Sequence, residues 1–274
     1  MTGLYRHFIN GEFVESDARF PKYSPLNNEH IADICEASQR DVDAAVKAAK
    51  AAMKGLWGRM TLEQRVAKLY AVADEITRRF DEFVAAEMQD TGQTKHVMEH
   101  VFIPRGAANF KIFADVIKNV PTETFEMATP DGRGAINSAI RIPKGVIAVV
   151  CPWNAPFLLM TWKVGPALAC GNAVVVKPSE ETPATATLLA EVMRDVGIPD
   201  GVYNVVHGLG ANSTGEFLTS HNDVDAITFT GETQTGAAIM AAAAKGIRDV
   251  SFELGGKNAG IVFADCDFDK AIEG

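Results

Sequence analysis

The sequence predicts an α/β fold in which a doubly wound parallel sheet occupies the second half of the chain. Two observations carry this. From Lys144 onward, short runs rich in β-branched residues (VIAVVC, AVVVKP, VYNVV, DAITFTG, DVSFE and GIVFA) alternate with helical stretches. Continuous apolar strands separated by helices are the mark of a parallel sheet covered on both faces. Composition agrees, because 47% hydrophobic and 22% charged residues over 274 positions supply a large packed core without disulfide or metal staples.

The first third reads as helical. Ser38 and Asp41 form a capping-box-like start, Val42, Ala45, Val46, Ala49 and Met53 follow at helical spacing, and Gly55 stops the run. Thr61 and Gln64 open a second helix whose Val66, Leu69, Tyr70, Ala73 and Ile76 share a face. A third stretch, over residues 97–119, contains Pro104, whose missing N–H predicts a kink or split with Arg105 beside it. Next, TETFEMATPDGRGAINSAIRIP sets two β-prone runs around a Pro130-Asp131-Gly132 turn, which predicts a projecting hairpin. The organisation expected is 1–121 helical, 122–143 hairpin, 144–252 βαβ units and 253–274 the start of a further region.

Charge and cysteine usage exclude several classes. Lys and Arg number 26 against 35 Asp and Glu, a formal charge of −9, so no basic face for nucleic acid is expected. Cys35, Cys151, Cys170 and Cys266 lack C-x-x-C spacing and suit a reducing compartment. The start lacks a basic segment followed by an apolar run, and the longest apolar stretch, Val146 to Leu168, is broken by Pro152, Pro156, Lys163 and Pro166. A cytoplasmic protein without a membrane partner is the expectation.

In an open parallel sheet, ligands bind outside the carboxyl ends of the strands, and four strand ends carry unusual residues. After VIAVV comes Cys151-Pro152-Trp153-Asn154, where the Asn154 amide either donates to a developing oxyanion or simply shapes a turn. After AVVV comes Lys177-Pro178-Ser179-Glu180. Its Lys and Glu either hold ribose hydroxyls of a nucleotide, the carboxylate disfavouring a 2′-phosphate, or complement a helix dipole. Phe229 to Gly236 is a G-x-x-x-x-G turn opening a helix, with N–H groups for a pyrophosphate; it lacks the lysine of a P-loop. Glu253, followed by Leu254, Gly255, Gly256 and Lys257, leaves an apolar strand either as a general base for water or as a salt-bridge partner of Lys257.

Two further patterns point elsewhere. Gly208-Leu209-Gly210-Ala211-Asn212-Ser213 nearly matches G-x-G-x-x-G but has Ser213 in place of the third glycine, which suits Gly210 to the adenine end of a cofactor rather than its pyrophosphate. His96 to His100 fits H-x-x-E-H, yet no third ligand follows, so no metal site is expected.

Taken in order, CPWN, LACGNAVVVKPSEETP, VYNVVHG, FTGETQTG and FELGGKNAGIVFADCD resemble the signature set of the aldehyde dehydrogenase superfamily. The resemblance covers essentially the whole chain, including FINGEFV near its start. It implies a Rossmann-like NAD-binding domain with an oligomerisation hairpin and the beginning of a catalytic domain. By it, Asn154 is similar to the oxyanion-hole asparagine, Trp153 lines the same pocket, and Lys177 and Glu180 are similar to the adenosine-ribose ligands. Gly231 and Gly236 match glycines beside the cofactor phosphates, Glu232 standing where many relatives have Ser. Glu253 matches the glutamate that activates the hydrolytic water, with Leu254 and Gly255 near the nicotinamide.

Within the superfamily, IPRGAANFKIFAD, ETFEMATPDGRGAIN, LLMTWKVGPALACGN and TFTGETQTG look most like enzymes acting on 2-hydroxymuconic semialdehyde, those acting on 2-aminomuconic semialdehyde being very close. Such substrates carry a carboxylate opposite the aldehyde, and Arg105 resembles a carboxylate clamp, its alternative being a surface arginine at a helix start. The resemblance also implies a homo-oligomer. It places a nucleophilic cysteine beyond Gly274, so the 274 residues alone are expected to bind NAD weakly or not at all and not to turn over.

Overall fold

Five of the six β-branched runs fold as the sequence predicts, into one sheet that carries every strand-end motif. The computed structural model describes residues 3–273; Met1, Thr2 and Gly274, which end the first and last expected segments, lie outside the described residues. The chain opens on strands, β1 (Gly3–Tyr5), β2 (His7–Ile9), β3 (Glu12–Val14), β4 (Arg19–Tyr23) and β5 (His30–Cys35). This corrects the helical reading of the first third for these residues. Strands of three to six residues hold too few periods to stand out, and β1, β4 and β5 pair into a small separate sheet. The β2–β3 hairpin turns at Asn10 and Gly11, both at positive φ (53° and 85°), as a two-residue Asn-Gly turn demands.

The helices that follow are α1 (Gln39–Lys54), α2 (Leu56–Arg59), α3 (Leu62–Arg78), α4 (Phe80–Thr91), α5 (Lys95–Val97) and α6 (Ile103–Lys118). Ser38 with Asp41 and Thr61 with Gln64 form complete capping boxes at the starts of α1 and α3. The split expected at Pro104 falls just before it, where Met98–Phe102 make one π-helical turn and Pro104 then occupies the first turn of α6, where its missing N–H costs nothing. Strands β6 (Thr124–Met127) and β7 (Ala135–Ser138) pair antiparallel as an exposed hairpin that touches no other sheet.

The remaining elements are β8 (Val146–Val150), α7 (Pro156–Ala169), β9 (Ala173–Lys177), α8 (Ala184–Asp195), β10 (Tyr203–Val205), α9 (Thr214–Ser220), β11 (Ala226–Thr230), α10 (Thr233–Ala244), β12 (Asp249–Glu253) and α11 (Phe268–Glu273). The seven-stranded sheet runs β12-β11-β8-β9-β10-β2-β3; β12 through β10 are parallel, and the β2–β3 hairpin closes the β10 edge antiparallel. The chain moves from β8 outward to β10, then returns to lay β11 and β12 on the other side of β8. That reversal opens a crevice at the carboxyl ends of β8 and β11.

Period-2 alternation feeds two cores. Ile147, Val149, Val174 and Val176 pack into the layer of α3, α4, α6, α7 and α8, while Val146, Ala148, Val150 and Val175 face the layer of α1, α9 and α10. Each fully buried valine contributes about 1.5–3 kcal/mol. The GIVFA run is not a strand: Ile261, Val262 and Phe263 are exposed, and no strand among the described residues pairs with them. No helix among the described residues is long and apolar enough to cross a membrane.

Trp57 of α2 pins the entry to β9. Fully buried, its Nε1–H donates to the carbonyls of Gly171 (3.1 Å) and Asn172 (3.0 Å). Trp57→Phe keeps most of the packing and strands both acceptors, so urea denaturation should show a loss of about 1–3 kcal/mol; an unchanged midpoint would exclude this pinning role.

Candidate active site

The site is an edge, and each of its loops continues a strand. Beyond β8, the Cys151 N–H still donates to the Lys177 carbonyl (3.1 Å), so the ladder persists one residue past the strand. Pro156 then begins α7, which leaves Cys151 to Ala155 as a short elbow. Trp153 (63% exposed) and Asn154 stand out from it. The Asn154 carbonyl is held by Gln93 Nε2 at 2.7 Å, while its side-chain amide enters none of the hydrogen bonds among the described residues. Main-chain anchoring with a free amide is what a donor waiting for an oxyanion needs.

At the end of β9, Lys177 is 4% exposed, and its ammonium donates to the Pro178 carbonyl (3.0 Å) with Glu180 Oε2 at 3.6 Å. Burial pulls the Lys177 pKa below the usual range and the Glu180 carboxylate opposes the fall. The first N–H of α8, that of Ala184, is already taken by Asp90 Oδ2 at 2.8 Å.

At the reversal, β11 passes into Gly231, whose N–H donates to the Glu253 carbonyl (3.1 Å) and so joins the ends of β11 and β12. Glu232 sits at the N-cap of α10 without capping it; its carboxylate accepts from the Thr235 hydroxyl at 3.1 Å. The N–H groups of the first turn therefore keep no side-chain partner, and the buried Thr230 hydroxyl beside them also lacks one. Such orphan donors suit a pyrophosphate, so the residues present fit a dinucleotide. Gly236 lies close under Leu254, a Cβ there falling 2.7 Å from a Leu254 methyl carbon. Gly255 stands against Thr233 of the same turn.

Glu253 ends β12, an edge strand among the described residues, and is exposed. The Lys257 alternative is not found, since that ammonium donates to the Gly256 carbonyl (3.4 Å). Instead, Glu253 lines a cleft of about 500 Å³ with Trp162, Lys163 and Thr228. Lys163 escaped the sequence reading, although a lysine in the otherwise apolar helix PFLLMTWKVGPALA was the available signal. It is 7% exposed, donates to the Thr228 hydroxyl (3.1 Å), and is pulled below the usual lysine range by burial, with Cys151 and Glu253 opposing.

The other predicted residues lie further out. Gly210, in the loop after β10, accepts from the Glu216 N–H (3.1 Å) and is separated from β8 by β9. Arg105 is exposed on the first turn of α6, and the next residue, Gly106, meets the Phe157 ring of α7 so closely that a Cβ would lie 2.5 Å from it. Arg105 thus stands beside the helix that the Asn154 elbow begins. His96 and His100 stack at 4.3 Å, and no group of three or more His, Cys, Asp or Glu that could hold a metal occurs among the described residues.

The aldehyde dehydrogenase family is matched by residues 13–274. The chain belongs to this family. It is 67% identical over 271 residues to a 2-hydroxymuconic semialdehyde dehydrogenase of Pseudomonas sp. (strain CF600), covering 98% of this chain and 56% of that protein. A 2-aminomuconic 6-semialdehyde dehydrogenase of Pseudomonas sp. is 55% identical, with 98% and 55% covered. Among solved structures, the NAD+ complex of an aldehyde dehydrogenase from Bacillus cereus superposes with a TM-score of 0.92 at 36% identity, covering 98% of this chain and 55% of that one. The chain therefore spans about half the length of these relatives.

A histidine pair packs at the start of the loop that follows β10. His207 follows β10, is fully buried, stacks on His7 at 6.0 Å, and donates its backbone N–H to His7 Nδ1 at 3.1 Å. Burial is the main cause that pushes His7 down to about 4 and His207 to about 3. A depressed folded value means that the pair's contribution is present above the ordinary imidazole range and is lost as pH falls toward 4 and then 3. Thermal midpoints measured from neutral pH down to about 4 should therefore fall more steeply in the wild type than in a His7→Gln/His207→Gln variant. Parallel slopes would contradict the pair's role.

Proposed function

We propose that the full-length protein oxidises a carboxylate-bearing semialdehyde with NAD, 2-hydroxymuconic semialdehyde ahead of its 2-amino analogue. The observation that carries this is the convergence of Asn154, Lys177, Gly231 and Glu253 on one carboxyl edge, at the strand reversal of a chain from this family. The 67% identity to a 2-hydroxymuconic semialdehyde dehydrogenase supports the substrate choice. Bound NAD would supply the hydride acceptor for the aldehyde carbon once a thiolate has added to it, leaving a thioester that water then cleaves.

The chain's own residues supply the rest. Lys177 and Glu180 would hold the ribose hydroxyls, and the free N–H groups after Gly231 would receive the pyrophosphate, with Gly236 allowing the approach. Leu254 and Gly255 would lie near the nicotinamide, Trp153 would wall the pocket, and Gly210 would border the adenine. The Asn154 amide donates to the carbonyl oxygen as negative charge develops there. Glu253 takes a proton from the water that releases the product. Arg105 grips the substrate's distal carboxylate with its guanidinium fork.

The attacking thiolate is assigned to none of the four cysteines. Cys35 and Cys151 are buried, and burial pushes Cys151 up to about 12. Cys170 ends α7, away from the elbow, and Cys266 sits in an exposed turn. Residues 1–274 by themselves are accordingly expected to show no turnover. Exposed Phe125, Met127 and Ile136 on the hairpin support its use in a homo-oligomer, and the unpaired thiols suit the cytoplasm.

In the full-length protein, Asn154→Ala should lower kcat by about 10²–10³ with little change in KM. Arg105→Ala should raise the semialdehyde KM about tenfold while sparing kcat. An unchanged KM would remove the clamp from this reading.

A further inference from the structure

Two acids on α4 take no part in the proposed chemistry, yet Glu87 and Asp90 are the only buried Asp or Glu residues among the described residues. They lie three apart on one helical face. Glu87 Oε1 accepts the Phe157 N–H at 3.0 Å, and Asp90 Oδ2 accepts the Ala184 N–H at 2.8 Å. Phe157 is in the first turn of α7, directly after the Asn154 elbow, and Ala184 begins α8, directly after the Lys177–Glu180 loop. Just past the left-handed Gly92 that ends α4, Gln93 Nε2 holds the Asn154 carbonyl.

We propose that Glu87 and Asp90 are positioning residues, through which the single rigid helix α4 sets the Asn154 elbow and the Lys177–Glu180 loop at a fixed separation. Resting on the roles proposed for those loops, the inference adds the element that holds them in step. The second oxygen of each acid, Oε2 of Glu87 and Oδ1 of Asp90, is buried and accepts no hydrogen bond from the described residues. Burial raises Glu87 to about 8 and Asp90 to about 7. The donated N–H bonds oppose this in both, as do the Thr185 hydroxyl at Glu87 and the Lys22 ammonium at Asp90; Asp90 itself raises Glu87, and Glu181 raises Asp90. Each acid thus accepts one backbone N–H in a site dry enough for its geometry to be stiff. The two loops serve different steps, so the two acids should separate kinetically.

The test compares Glu87→Ala, Glu87→Gln, Asp90→Ala and Asp90→Asn in the full-length protein, reading kcat at saturating NAD and the NAD dissociation constant from tryptophan fluorescence. Glu87→Ala is expected to lower kcat about 10- to 100-fold and to change NAD affinity less than about twofold. Asp90→Ala should weaken NAD binding about tenfold and leave kcat within about threefold. The Gln and Asn variants keep an acceptor oxygen and should return both quantities close to wild type. Equal changes in both quantities, no change in folded Ala variants, or failure of Gln and Asn to rescue would overturn the inference.

Amide hydrogen exchange of Phe157 and Ala184 in the wild type provides a readout that survives a variant that does not fold: protection is expected, and exchange at loop rates would overturn the proposal. If the wild type oxidises no semialdehyde, the proposed function falls. The role of α4 is then decided by NAD affinity and amide exchange alone.

Discussion

Everything at the site depends on the pairing of β8 between β9 and β11. The strand is buried along its whole length, and its register puts Val150 opposite Lys177 on one side and Phe229 on the other. Adjacent strands lie roughly 5 Å apart. Residues a hundred positions distant in the chain, Asn154 and Glu253, therefore leave the same edge two strands apart, with the α10 turn between them. A slip of one residue in β8 would turn its apolar side chains to the wrong layers and carry the elbow with them, so the two cores on either side of the sheet are what hold the register.

How much of this was legible depended on how each element buries itself. β8 and β9 were readable because strands covered on both faces leave an unbroken apolar run, and α1 and α3 because Ser38–Asp41 and Thr61–Gln64 cap them with side chains. Helix α4 was not individually visible, since its inward face carries Glu87 and Asp90 along with Phe83 and Val84, which blurs the apolar stripe. GIVFA misled for the opposite reason: composition proposes a strand, but a strand also needs a neighbour. Among the site residues, those at strand ends followed from position and chemistry together. Lys163 and the α4 acids did not, because their meaning comes from partners far away in sequence, at Thr228, Phe157 and Ala184.

Electrostatics divides the site into a buried rear and an open front. Lys177, Lys163, Glu87 and Asp90 are held where burial shifts their protonation, and they touch backbone or neighbouring side chains rather than solvent. Asn154, Glu253 and Arg105 are exposed at the front. Rigid, dry supports behind accessible side chains are the arrangement that the proposed roles of Asn154, Glu253 and Arg105 require, since small displacements of reacting groups cost most there.

The most direct measurement is a rapid-mixing experiment on the full-length Glu253→Gln protein with NAD and 2-hydroxymuconic semialdehyde. If the carboxyl edge of this sheet is the oxidation site and Glu253 activates the water, NADH should form in a burst of one equivalent per site and then stall. Steady turnover at the wild-type rate, or no NADH at all from an otherwise folded variant, would contradict that assignment.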